Sequence, residues 1–239
     1  MKEKTNPGKI YLVPTPIEDE NFANYLPQEI TTVVNEVNYF IVEELKTARR
    51  FIKKINKQKN IDDCLFNELN EHTDSKILEE FLIPILGGQD AAILSEAGCP
   101  GVADPGQNLI ALAHTKNIEI ISLVGPSSIL LALMASGLNG QQFKFNGYLP
   151  KEQNARKQKL KELEADAHKS GNTHIFIETP YRNNHLFGDM LSVLPLTAKI
   201  CVAYELKSTN EFVKTKTVGD WKNKIPDLDK KNVVFLIGK

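Results

Sequence analysis

The chain is poor in the residues that mark redox, metal and membrane proteins. Its 239 residues include only three cysteines, Cys64, Cys99 and Cys201, far apart and without C-x-x-C spacing. That excludes a disulfide framework and structural zinc, and suits a reducing cytoplasm. Five histidines (His72, His114, His168, His174, His185) show neither H-x-H nor H-E-x-x-H spacing, so no metal is expected. There is no G-x-S-x-G elbow, no G-x-G-x-x-G and no G-x-x-x-x-G-K-[ST], which disfavours serine hydrolysis, nicotinamide binding and phosphate cradling. The longest uncharged apolar run, Ile129 to Ala135, falls far short of the ~20 residues of a membrane helix. Met1–Gly8 lacks the apolar stretch of a secretion signal. A cytoplasmic protein without membrane contact is expected. A charge excess is also missing, with 29 basic against 30 acidic residues. Any contact with RNA must come from a local patch rather than from bulk charge.

What is present is alternation. Apolar, β-branched runs at Ile10–Val13, Tyr39–Val42, Ala91–Leu94, Glu119–Val124, Phe143–Asn146, Thr173–Ile177, Lys199–Tyr204 and Val233–Ile237 read as strands. Helical spacing falls between them, at Ala48–Ile55, Ile77–Leu86, Leu109–Lys116, Ile129–Ser136, Arg156–Ala167 and Leu186–Leu194. Such alternation predicts an α/β protein with largely parallel sheets. Gly125-Pro126 breaks the chain after one strand, which predicts an N-terminal lobe over 1–124 and a C-terminal lobe over 125–239. The later lobe also holds Glu211–Val218, whose alternation suits an antiparallel strand. A cleft between the two lobes is expected.

The segment Ser95–Gly106 carries three glycines, two prolines and two carboxylates, directly after the buried-strand signal Ala91–Leu94. The carboxyl end of such a strand is where open α/β sheets hold ligands. The segment contains no Lys or Arg, so a cationic or neutral ligand suits it better than a phosphate. Asp104-Pro105-Gly106-Gln107 also reads as a helix start with Asp104 as cap. Capping leaves the glycines unexplained, whereas a ligand pressed on the backbone explains them. Cys99 reads as a small apolar filler. Acids follow other strands too: Glu43, Glu178 and Glu205. Two basic clusters stand out, Lys151, Arg156, Lys157, Lys159 and Lys161 in one lobe and Lys46, Arg49, Arg50, Lys53 and Lys54 in the other. Each reads either as a solvated face or as a surface for a polyanion.

Taken in order, these motifs resemble the tetrapyrrole methylase superfamily of S-adenosylmethionine-dependent methyltransferases. The branch that 2′-O-methylates a cytidine of small-subunit ribosomal RNA is the nearest in pattern. The resemblance rests on Ile10–Ile17, Leu94–Pro100, Asp104–Gly106, Val124–Ser128, Ser136–Leu138, Gly147–Pro150, Glu178–Arg182 and Ala203–Leu206. It implies two α/β lobes, a homodimer, and S-adenosylmethionine in the cleft. The cofactor contacts it implies are Pro14, Ser95, Glu96, Ala97, Gly98, Val102, Ala103, Asp104, Ser127 and Ser128 from the first part of the chain, and Tyr148, Glu178 and Ala203 from the second. A general base is needed for a hydroxyl acceptor, and Glu43, Glu178 and Glu205 are the candidates. Departures from the branch fall in the first lobe: Glu18-Asp19-Glu20 after Ile17, Glu43-Glu44-Leu45-Lys46-Thr47 after the second strand, and Asn70-Glu71-His72. A tetrapyrrole or other small-molecule acceptor, and a catalytically silent S-adenosylmethionine-binding protein, stay open as alternatives.

Overall fold

Apolar runs such as Tyr39–Val42 and Ala91–Leu94 become strands because they are buried on both faces, and the amphipathic stretches between them supply the cover. The computed structural model describes residues 6–18, 21–70 and 73–239, with the side chain of Ser75 also left out. Asp19, Glu20, Glu71 and His72, and the first five residues, lie outside the described residues. Contacts divide the chain into two units, Met1–Ser127 and Ser128–Lys239.

The first unit runs β1 (Lys9–Val13), α1 (Gln28–Glu36), β2 (Tyr39–Val42), α2 (Leu45–Ile55), β3 (Leu65–Glu68), α3 (Ser75–Leu86), β4 (Ala91–Leu94), α4 (Gly106–Thr115) and β5 (Glu119–Ser122). Its sheet has the order β3-β2-β4-β1-β5 and every pair is parallel. Two apolar clusters cover its two faces. One holds Ile10, Tyr39, Ile41, Leu82, Ile85 and Leu109, and the other Val13, Ile30, Val34, Phe40, Phe51 and Ile52.

The second unit runs α5 (Ser128–Ser136), β6 (Phe143–Tyr148), α6 (Gln153–Ser170), β7 (Thr173–Ile177), α7 (Asn183–Val193), β8 (Lys199–Tyr204), β9 (Phe212–Thr217), α8 (Val218–Asn223) and β10 (Val233–Gly238). Its sheet, in the order β6-β7-β10-β8-β9, is mixed: β6 and β7 are parallel and the other pairs antiparallel. The short Glu205–Glu211 connection has no room for a crossover helix, so β9 returns antiparallel to β8. The alternating Glu211–Val218 segment is that strand, ending at Thr217. Leu160, Phe176, Phe187, Trp221 and Phe235 form one core, with Phe187 edge-on to Trp221 at 5.4 Å.

Candidate active site

All five strands of the first sheet end at one edge. The chain passes from β1 to β2 on one side and from β4 to β5 on the other, so the topological switch point lies between the adjacent strands β1 and β4. The Ser95–Gly106 segment leaves β4 at this point. Thr15, just past β1, pairs with Gly98 through Thr15 N–H to Gly98 O at 2.9 Å and Gly98 N–H to Thr15 O at 3.1 Å. The Ser95 hydroxyl donates to Gly98 O at 3.0 Å, and the Thr15 hydroxyl to Ser95 O at 3.1 Å. Gly98 and Gly101 have φ of +81° and +78°, a region open to glycine at no steric cost. Turn geometry therefore accounts for these two glycines, and a ligand is not needed to explain them. Ala103 adopts φ +62° without being glycine, a strained position held by its neighbours. One of them is Asp104, whose Oδ1 accepts from Gly101 N–H and Gly106 N–H, both at 2.8 Å. The helix cap thus falls one residue later than expected: Pro105 is the N-cap of α4, and Asp104 braces the bend instead.

Three carboxylates gather along this edge. Glu43 follows β2, and its Oε2 accepts the Glu96 N–H at 3.2 Å. The Glu96 side chain takes the Thr47 hydroxyl at 2.6 Å. Glu44 caps α2 by accepting Thr47 N–H at 2.6 Å. Burial pushes the Glu43 carboxyl above its ordinary value, and the negative charges of Asp104 and Glu96 add to this against the Glu96 hydrogen bond. Burial likewise raises Asp104, against its two backbone bonds. Between Glu43 and Asp104 lies a cavity of about 10 Å³, walled by Val42, Leu69, Leu94 and Gly106, about the space one water needs.

The other expected contacts divide by exposure. Glu96, Ala97, Val102 and Ala103 are exposed, whereas Pro14, Ser95 and Gly98 are buried. A Cβ on Gly125 would stand 2.2 Å from the Pro14 Cβ, so the Pro14 ring packs directly on the Gly125 backbone. Ser127 and Ser128 are half-buried. Cys99 is a half-buried thiol raised by burial and donating to Pro126 O at 3.3 Å, in keeping with a filler.

In the second sheet β6, β7 and β8 run the same way, so Tyr148, Glu178 and Glu205 share an edge. Tyr148 is exposed, and Ala203 is wholly buried within β8 and presents no surface. Glu178 is buried; its Oε1 takes Thr179 N–H at 2.7 Å and Oε2 lies 3.0 Å from Arg182 Nη2. Glu205, at φ +50°, faces Lys231 Nζ at 3.4 Å. Both acids are therefore held by cations. Strand order brings Thr47 to Glu96 and Lys231 to Glu205, whereas Arg182 reaches Glu178 from four residues further along the chain. Among the described residues no group of three or more metal-binding side chains occurs, and no helix is long and apolar enough to cross a membrane.

Three of the five cations of the α6 cluster meet acids. Arg156 is buried against Asp189, at 2.9 Å from Nε and 2.5 Å from Nη2, and Lys157 reaches the same carboxylate at 3.5 Å. Burial opposes the Asp189 charge, but hydrogen bonds from Arg156 and Gln153 outweigh it and hold the carboxyl below its ordinary value. Lys159 pairs with Glu162 at 3.8 Å.

No family model matches the chain. Among curated proteins it is 31% identical over 204 residues to ribosomal RNA small subunit methyltransferase I of Vibrio cholerae, covering 85% of this chain and 67% of that one. It is 30% identical over 213 residues to the Escherichia coli protein of that name, covering 89% and 70%. Among solved structures, the methyltransferase CobJ matches with a TM-score of 0.64 at 15% identity, over 97% of this chain and 94% of that one. Uroporphyrin-III-C-methyltransferase from Thermus thermophilus matches at 0.56 and 16%, over 97% and 92%. The fold is that of the tetrapyrrole methylases. With relatives of this identity and coverage, the chain is a methyltransferase and belongs to the ribosomal RNA small subunit methyltransferase I family.

Proposed function

We propose that this enzyme uses S-adenosylmethionine to methylate a ribose 2′-hydroxyl of small-subunit ribosomal RNA, in the cytoplasm and as a homodimer, with Glu43 as general base. The observation that carries this reading is the gathering of Glu43, Glu96 and Asp104 at the switch point beside a bend that contains no cationic side chain. That set of groups fits a sulfonium: carboxylates favour a positive centre and repel a phosphate. The exposed Ala97, Val102 and Ala103 add a small, apolar rim. When bound, S-adenosylmethionine would supply an electrophilic methyl group. Glu96, Asp104 and the Ala97–Ala103 backbone would hold it, and Glu43 would take the proton of the attacking hydroxyl.

Glu43 is favoured over Glu178 and Glu205 because its neighbours are acids rather than cations. An upward-shifted carboxyl is the better proton acceptor once ionised. Calorimetric titration with S-adenosylmethionine tests the ligand, with binding weakened in Asp104→Asn; no heat and no thermal shift at millimolar concentration would overturn it. Ribose-methylation mapping of total RNA from a deletion strain tests the acceptor. One missing mark in small-subunit RNA is expected, and an unchanged map would return the acceptor to the small-molecule class.

A further inference from the structure

We propose that the outer face of α2 is the surface on which the RNA phosphate backbone docks; this inference rests on the ribosomal RNA reading given above. Lys46, Arg49, Arg50, Lys53, Lys54 and, just past the helix, Lys57 are all exposed. Their spacing of three and four residues places them on one side of a helix, opposite the buried Ala48, Phe51 and Ile52. From Lys46 to Lys54 the stripe is about 12 Å long. Helix α2 itself contains no acid. Neighbouring like charges at these spacings destabilise a helix. The helix dipole favours basic residues such as Lys53 in the last turn, but it gives no reason for Lys46 and Arg49.

The contrast with α6 decides between the two basic clusters. There Arg156 and Lys157 converge on Asp189, Lys159 pairs with Glu162, and Glu164 and Asp166 follow on the same helix. On α2, Arg49 stacks over Phe66 at 5.1 Å and Lys53 donates to Lys57 O at 3.1 Å. Those contacts orient the side chains without cancelling their charge. The stripe also begins at the catalytic edge, since Leu45 opens α2 two residues after Glu43. A polyanion lying along it would bring its sugars toward that carboxylate. Phosphates are the polyanion whose binding scales with the number of cations contacted, through counterion release.

The test compares the intact protein with its Lys46→Gln/Arg49→Gln/Lys53→Gln variant, using purified small-subunit ribosomal RNA in a salt titration. The slope of log affinity against log salt is expected to fall by about 2–3, at roughly 0.7–0.9 per cation removed. Affinity near 0.1 M salt should drop at least about tenfold, as expected for the loss of several phosphate contacts. S-adenosylmethionine binding should be unchanged, which shows that the variant is folded. A variant that binds S-adenosylmethionine and loses neither RNA affinity nor slope overturns the docking face alone. A wild-type protein that binds S-adenosylmethionine but no RNA overturns the acceptor reading and this inference together. Equal binding of polyglutamate at matched charge would overturn RNA as the occupant in favour of an acidic protein.

Discussion

The two sheets end in acids of opposite condition. At the edge of the first, Glu43 stands with Glu96 and Asp104 and is pushed upward by burial and their charge. At the edge of the second, Glu178 and Glu205 each face a cation, Arg182 and Lys231. Cation-paired carboxylates are committed to structure: removing a proton acceptor from such a pair costs the pair. An acid among acids is held at the expense of the fold, which is the condition expected of a working group. A related contrast separates the helices, since Arg156 and Lys157 of α6 converge on Asp189 while Arg49 and Lys53 of α2 meet an aromatic ring and a backbone carbonyl.

Glu43→Gln offers the strongest challenge to this contrast. Loss of a general base is expected to lower kcat by about 10²–10⁴-fold. Because burial and like charge shift Glu43 upward, its ionisation at neutral pH opposes folding. The neutral glutamine should therefore hold or raise the thermal midpoint at pH 7, with any gain lost as the pH falls below the ordinary glutamate value of 4.5. Reduced stability together with unchanged kcat would assign Glu43 to the fold.

Arg182→Ala probes the other edge. It strands the buried Glu178 charge, and a loss of about 3 kcal/mol is expected, or roughly 6–12 °C by calorimetry for a chain of this size. Adding Glu178→Gln should restore most of it; a cycle without such coupling would free Glu178 for another role. The smallest effect belongs to Glu96→Gln. It removes one like charge but keeps the Glu96 N–H bond to Glu43, so the acid limb of the kcat/KM profile should move to lower pH. A limb that moves upward or stays fixed would mean Glu96 does not act on Glu43.

Most of the fold is legible in sequence because fully buried strands such as Phe40-Ile41-Val42 and Ala91–Leu94 are uninterrupted apolar runs. The elements that escape are marginal by their own chemistry. Helix α1 carries Thr31, Thr32, Val33 and Val34, β-branched residues that blur helical propensity, although Ile30, Val33 and Val34 keep the helical spacing of its buried face. Strand β3, Leu65–Glu68, is a half-exposed edge with neither alternation nor a β-branched residue. Helix α8 is six residues long and is fixed by tertiary contacts, notably Trp221 Nε1–H to Ile200 O at 3.0 Å. In the site, the acids and the bend were readable from their position after strands. Their partnerships were not, because β2 and β4 become neighbours only through the strand order.

That order has a consequence for how the chain is made. Strand β1 is made before the other strands of its sheet, yet it becomes an interior strand whose partners, β4 and β5, come far later. Lys9 meets Asp90 across 81 residues and Glu119 across 110. At elongation rates of about 5–20 residues per second, both of its hydrogen-bonding flanks stay open for about 4–16 s, until β4 is made. During that interval Ile10–Val13 is a naked apolar edge, a template for strand pairing with other nascent chains. The first sheet therefore needs protection during synthesis until β4 and β5 have emerged to flank β1.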